Sequence, residues 1–359
     1  MIKKLRLLYI CISFVAQTYS YLDNSGLFEN KTILIIGGTG YLGRAIAGEI
    51  LKYNPRKIII FSRDEIKHFN ITKIFDNNSK IQSVIGDIRD YQSLLKATRN
   101  VDIVFHAAAL KRIDILESNV EEVIKTNILG TLNVHNACIA NDVDKVLFIS
   151  TDKACSPINT YGACKFIDEK IFTHYDKNKV STKFMVVRFG NILESTGSVI
   201  PIFTEKIKNG EKIPLTDERM TRFIISKEEA VALIFDALRY GIGGEIFVKK
   251  LPALKIIDLV EILKDKFNAH NQIEIIGLRP GEKIHETLIN ESEIERTLQF
   301  QDFFIIKPVI NNELDHHEKK PYFQLDTIVN KQLIDEYSSD KAVISKDALL
   351  VLFKKLGFL

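Results

Sequence analysis

The chain has 359 residues, enough for one large α/β domain with a smaller lobe, or for two modest domains. Hydrophobic residues at 46% and charged residues at 26% are ordinary for a soluble globular protein. A net charge of +3, evenly spread, sets aside nucleic acid as a partner.

In chain order, residues 1–30 form an extension that starts basic and continues as an apolar run from Leu7 to Ala16. The run is too short to cross a bilayer as a helix. It resembles a secretory signal, yet no clean small-x-small cleavage site follows. An amphipathic extension and an upstream start codon are the alternatives.

A βαβ unit comes next. KTILIIGG is the continuous apolar run of a strand buried on both faces. TGYLGRAIAGEILKY has apolar residues at helical spacing, and Pro55 marks its exit. RKIIIFSRD, IQSVIGDIRD, VDIVFHAAA, DKVLFISTDKA and KFMVVRFGN read as further strands, with helical patterns between them. The fold class is therefore α/β, a Rossmann-like doubly wound parallel sheet over 31–190. From Asn191 the rhythm breaks into loop-rich segments with clustered Arg, while 227–250 reads as a helix and strand returning to the sheet. The second lobe is thus expected to be discontinuous, 191–226 and 251–340, with 341–359 as a C-terminal helix. Cys11, Cys138, Cys155 and Cys164 show neither a CxxC nor zinc spacing, so they read as free thiols in a reducing compartment, with no metal.

Gly37, Gly40 and Gly43 lie in GGTGYLG, with Thr39, Tyr41 and Leu42, between a strand and a helix. The first glycine permits the tight turn, the second lets backbone approach a pyrophosphate, and the third lets helix pack on strand. The second strand ends in Ser62 and Arg63, with Lys67 beyond, a hydroxyl and cations suited to the 2′-phosphate of NADP. Asp64 is the complication, because it suits a ribose instead. Asp87 and Ile88 follow the third strand, where Asp87 is placed to accept from the adenine amine. Ala107 and Ala108 let backbone pass close to the cofactor, or are simply strand-end packing.

The stretch STDKACSPINTYGACK holds two pairs. Tyr161 and Lys165, at i and i+4, share one helix face. There an ammonium stabilises the phenolate that takes a proton from an alcohol while hydride goes to nicotinamide. Thr151 is the expected hydroxyl partner, and Asn127, in IKTN, is similar in position to the structural or proton-relay Asn that related enzymes keep. Asp152 and Lys153 need a separate reaction. A 4-keto sugar has an acidified C5–H, and loss of water across C5–C6 needs a base and an acid. Lys153 and Asp152 are read as those two, with burial expected to keep Lys153 neutral part of the time.

Taken together, GGTGYLG, FSRDE, GDIRD, HAAALKR, KTNILG, STDKACSPINTYGACK, RFGN, RMTRF, RPGEKIHE, DFFIIKP and EYSS resemble the inverting UDP-N-acetylglucosamine 4,6-dehydratases of pseudaminic acid biosynthesis. These belong to the extended short-chain dehydrogenase/reductases. The resemblance runs from Lys31 to the C-terminus, and Lys153 stands where retaining enzymes carry Glu. It implies UDP-N-acetylglucosamine as substrate and the inverted 6-deoxy-4-keto sugar, UDP-2-acetamido-2,6-dideoxy-β-L-arabino-hex-4-ulose, as product, with NADP regenerated each cycle. It implies further that Lys111 lies near the sugar and Asn191 near the diphosphate or sugar, and that Arg222, Arg279 and Glu282 hold UDP. A homo-oligomer, a hexamer, is implied by the resemblance alone. The chain departs from the family pattern at Tyr41-Leu42, Arg112-Ile113-Asp114 and Val120, which touches substrate detail. A 4- or 5-epimerase on the same scaffold and a non-catalytic NADP sensor are the competing readings. Export would strand such an enzyme from cofactor and substrate, so the extension is read as uncleaved on a cytoplasmic protein without firm membrane association.

Overall fold

Five consecutive apolar or β-branched residues, Thr32–Ile36, form strand β1, buried along its whole length. That is the pattern of a strand covered on both faces of a parallel sheet. β1 pairs in parallel with β2 (Lys57–Ser62), which pairs with β3 (Ile81–Ile85). On its other side lie β4 (Ile103–His106), β5 (Lys145–Ile149) and β6 (Lys183–Arg188), also parallel. The structure, a computed structural model, describes residues 24–174, 180–193, 199–309 and 333–359. The apolar run Leu7–Ala16 and Cys11 lie outside the described residues.

The sheet takes back the strand expected within 227–250 and then continues beyond the sequence reading. β7 (Ile246–Lys249) pairs in parallel with β6, and β9 (Phe303–Ile306) and β8 (Thr297–Gln299) then add antiparallel strands. Among the described residues this makes nine strands in the order β8-β9-β7-β6-β5-β4-β1-β2-β3. Residues 297–306 therefore belong to the main sheet, although the span 251–340 is expected to be lobe. Their alternating-free apolar run, FFII, is what a strand needs to be buried on both faces of the main sheet.

Helices α1 (Tyr41–Ile50) and α6 (Lys227–Tyr240) pack together on one face; α3 (Tyr91–Ala97), α4 (Gly130–Ala140) and α5 (Thr160–Thr173) pack on the other. The Ser226–Glu229 capping box starts α6, and Asn159 caps α5 by accepting from the Gly162 N–H. Strand order reverses between β1 and β4, so a crevice opens at their carboxyl ends, where doubly wound sheets place ligands.

The lobe has its own core. Phe203 and Ile207 of helix Val199–Lys208, Leu259 and Leu263 of helix Ile256–Lys266, and Leu349 and Phe353 of helix Lys346–Lys355 pack in one cluster. The C-terminal helix is thus part of the lobe. Three short strands, Asn191–Ile192, Thr221–Ile225 and Ala253–Lys255, join it to the main body.

Candidate active site

The turn after β1 is tight because backbone meets backbone. Gly37 has φ +82°, and a Cβ there would lie 2.7 Å from the Ala108 N and 2.9 Å from the Ala107 carbonyl carbon. Ala107 and Ala108 are thereby placed against the glycine loop, at the end of β4. A Cβ on Gly43 would lie 2.6 Å from the Gly38 Cα, so α1 sits hard against the turn. No side chain caps α1 at Gly40. Its first-turn N–H groups and positive dipole end are thus left for an anion. This cradle fits a dinucleotide pyrophosphate.

Beside it, Thr39 Oγ1 donates to Ser62 Oγ at 3.0 Å, and Ser62 Oγ lies 3.0 Å from His68 Nε2. Asp64 caps α2 (Glu65–Ile74), accepting from the Lys67 N–H at 3.0 Å, with Lys67 Nζ at 3.2 Å. Those contacts, the backbone N–H first, lower its carboxyl pKa. Arg63 is half exposed and lies 3.6 Å from Asp87. Asp87 is bound more closely by Arg89, at 2.7 Å. Ile88 is buried under Gly130 of α4.

Asn127 is buried in a π-helical turn, Ile124–Leu129, the kind of local irregularity common at functional sites. Its amide exchanges both hydrogen bonds with the Leu110 backbone, at 2.9 Å each. It therefore pins the segment that carries the exposed Lys111. Arg112 and Asp114 pair with each other at 3.1 Å.

The strand β5 ends in the reaction stretch. Ser150 N donates to Val187 O and Asp152 N to Phe189 O, so the chain leaves the sheet along β6. Thr151 Oγ1 donates to Asp152 Oδ1 at 2.8 Å, and Lys153 Nζ donates to the same oxygen at 2.9 Å. Asp152 is fully buried. Tyr161 lies in the first turn of α5, and a Cβ on the adjacent Gly162 would lie 2.3 Å from the Lys153 carbonyl oxygen. The two pairs are thus brought side by side. Burial holds the Tyr161 hydroxyl above its usual range, while the Lys153 charge and the Thr151 hydroxyl draw it back.

Lys165 is 3% exposed, donates to Ile149 O at 2.9 Å and lies 4.1 Å from the centre of the Phe148 ring. Burial lowers its pKa to about 8 against the opposing charges of Asp168 and Glu169. Asp168, on the same helix, is driven up to about 7 by burial.

Lys153 departs from the sequence reading. Burial favours its neutral amine, as expected, but Asp152 and Glu286 outweigh burial and hold it above the ordinary lysine range. Glu286 Oε1 lies 3.2 Å from Lys153 Nζ, and the Glu286 side chain is 3% exposed. The sequence reading misses Glu286, although RPGEKIHE contains it. It selects Glu282, whose carboxylate here only accepts from the Arg279 N–H at 3.4 Å. Arg279 is exposed, on the turn that reaches α5: Gly281 has φ +80°, and its carbonyl accepts from the Asn159 amide at 2.7 Å.

Arg222 is buried and donates to the Thr221, Lys283 and Ile284 carbonyls, at 2.7, 2.9 and 3.1 Å. It ties strand Thr221–Ile225 to the Glu286 segment. With Asn191 it lines a small apolar cavity between Val199, Leu254 and Leu259. A second buried network, also missed, fixes α5: Arg188 reaches Glu169 at 2.6 Å and Glu293 at 2.8 Å, and Ser150 donates to Glu169 at 2.6 Å. Among the described residues no cluster of three or more His, Cys, Asp or Glu is set to hold a metal. Cys138, Cys155 and Cys164 are buried and unbridged.

Residues 33–308 match the model of the family described as Polysaccharide biosynthesis protein. The chain belongs to that family. Within it, the chain is 44% identical over 289 residues to a Campylobacter jejuni protein named UDP-N-acetylglucosamine 4,6-dehydratase (inverting), covering 79% of this chain and 85% of the relative. It is 41% identical over 296 residues to a Rickettsia rickettsii protein named UDP-glucose 4-epimerase, covering 81% of this chain and 86% of the relative. Among solved structures, Pen from Bacillus thuringiensis superposes with a TM-score of 0.82 at 39% identity, covering 91% of this family member and 99% of Pen.

Proposed function

We propose that the chain is a UDP-N-acetylglucosamine 4,6-dehydratase that inverts C5. The observation that carries this is the buried Asp152–Lys153 ion pair, 2.9 Å across, beside Tyr161 at the carboxyl end of β5. An oxidation or 4-epimerisation has no use for a second acid–base pair, whereas loss of water has. The family membership and the relative named as an inverting dehydratase support the coarser reading, an enzyme acting on nucleotide sugars.

The glycine cradle of Gly37, Gly40 and Gly43, with Thr39, Tyr41, Leu42, Ala107, Ala108 and Ile88 around it, would hold NADP. Ser62, Arg63 and Lys67 would meet its 2′-phosphate, with Asp87 beside the adenine. Bound there, the nicotinamide supplies reversible hydride acceptance. Tyr161 takes the O4 proton, with Thr151 and Lys165 orienting and charging the site, and Asn127 fixes the neighbouring backbone. Asp152 and Lys153 then act on the 4-keto sugar as the acid–base pair of water loss. Lys111, Asn191, Arg222, Arg279 and Glu282 border the space for the sugar and UDP. The product would be the inverted 6-deoxy-4-keto sugar, the starting compound of a route such as that to pseudaminic acid.

The test is incubation of the purified protein with UDP-N-acetylglucosamine in heavy water. Mass spectrometry should find loss of one water, and NMR a 6-deoxy-4-keto sugar with deuterium at C5. Recovery of a 4-epimer without water loss would move the assignment to an epimerase, the reading favoured by the relative with that name. Unchanged substrate with cofactor bound would favour the sensor.

A homo-oligomer is part of this proposal. Ile115, Val120, Ile124, Leu129 and Ile167 on the helices around the site, and Ile158 in the loop before α5, are each at least 41% exposed, apolar surface that a second copy would cover. No described helix is long and apolar enough to cross a membrane.

A further inference from the structure

We propose that Glu286 is a positioning residue of the reaction centre: with Asp152 it holds Lys153 as an ammonium, so that Lys153 gives the proton and Asp152 takes one. The inference rests on the dehydratase reading and deepens it.

The geometry is specific. Lys153 Nζ lies 2.9 Å from Asp152 Oδ1 and 3.2 Å from Glu286 Oε1, between carboxylates from two distant segments. Both acids are nearly or fully buried, so neither is weakened by water. Glu286 is itself fixed. Its backbone N–H donates to Ser339 Oγ at 2.9 Å, and its carbonyl accepts from the Ser339 N–H at 2.8 Å. The other charges around it are Arg222, with Nε 4.0 Å away, and Lys283, 3.9 Å away. Facing Lys153 are thus Asp152 from its own turn, Tyr161 from α5, Arg222 from strand Thr221–Ile225, and Glu286. Two of these four are carboxylates that bind it directly. A neutral lysine there would leave two buried carboxylates with less compensation, which is costly.

An ammonium cannot take H5 before it has lost a proton. In the elimination, therefore, the Asp152 carboxylate takes H5 and the C5–H electron pair becomes the C5–C6 double bond. The C6–O bond breaks with its pair on oxygen, Lys153 protonates that oxygen, and water leaves. Asp152 then passes its proton to the Lys153 amine across their shared hydrogen bond, which restores the ion pair.

The experiment compares wild type, Glu286→Gln and Glu286→Asp as holoenzymes, following water loss from UDP-N-acetylglucosamine against pH. Glu286→Gln removes a charge that raises the Lys153 pKa. The ammonium is then lost at lower pH, so the alkaline limb of kcat/KM that belongs to Lys153, which lies above the one Lys165 sets at about 8, moves down. We expect kcat to fall by roughly tenfold to a hundredfold, as for a misplaced catalytic group, with KM little changed. Glu286→Asp keeps the charge with a shorter reach, so kcat falls while the limb stays where it is in wild type. Thermal unfolding and cofactor titration identify a variant that fails to fold. In that case Glu286→Asp decides, and a displaced limb or an undiminished kcat overturns the proposal. A Glu286→Gln enzyme with wild-type kcat and limb, or one faster at neutral pH, overturns it as well. Failure of the dehydratase reading itself appears separately, as a wild type that releases no water.

Discussion

At the scale of single residues, Lys153 illustrates a contest between burial and charge that sequence inspection decides wrongly. Its partner Glu286 lies far away in the chain, and only the folded lobe brings the two within 3.2 Å. Lys153→Ala should abolish dehydration while leaving cofactor binding intact, as fluorescence titration would record; full dehydration activity in that variant would refute the role. Lys165 offers a second measurement. Burial already lowers its pKa to about 8, and Asp168 is the foremost charge holding it up. Asp168→Asn should therefore lower it further, and activity that needs this ammonium should fade at lower pH than in wild type. A pH profile of kcat/KM unchanged by the substitution would show that Lys165 does not titrate in the working range. The glycines, Tyr161 and Lys165 were legible in the sequence because their geometry is local: a turn of backbone, or i to i+4 on a helix. Glu286, Glu293 and the capping role of Asp64 were not, because a carboxylate carries no mark of which distant cation it will meet.

Elements fix the site through a few close approaches. The turn at Gly281 docks on the cap of α5, where a Cβ would meet the Asn159 Cβ at 2.8 Å, and its φ is +80°. Gly281→Ala should cost about 1–2 kcal/mol from the left-handed conformation and lower activity more than stability, since it lifts the lobe from the catalytic helix. Denaturant titration beside a turnover assay separates the two. Arg188, 1% exposed between Glu169 and Glu293, locks β6, α5 and the turn Glu291–Arg296 together. Arg188→Leu leaves two buried carboxylates uncompensated, so a loss of about 3–5 kcal/mol is expected, readable as a fall in denaturation midpoint. The strand and helix order of 31–190 was readable because apolar runs and helical spacing are strong local signals. β8 and β9 were not assigned to the sheet, because antiparallel addition at an edge depends on which neighbour is free and not on the strand's own residues.

For the molecule as a whole, the apolar helix faces around the site bear on assembly. Replacing Ile124, 41% exposed, with Glu should shift the protein toward monomer in sedimentation experiments. A wild type that already sediments as a monomer would refute the oligomer. The discontinuous lobe has a different consequence, in the order of synthesis. The chain leaves the main sheet after β6 and returns at β7, then again at β8 and β9. Domains form as the chain emerges, N-terminal portions first. The glycine turn after β1 and the end of β5 are therefore made while Glu286 and Glu293 are still unmade. During that interval Arg188 has one of its two carboxylates, and Lys153 likewise. On the proposed function, a nascent chain would thus complete its glycine turn and its Tyr161 helix before Glu286 arrives to finish the reaction centre.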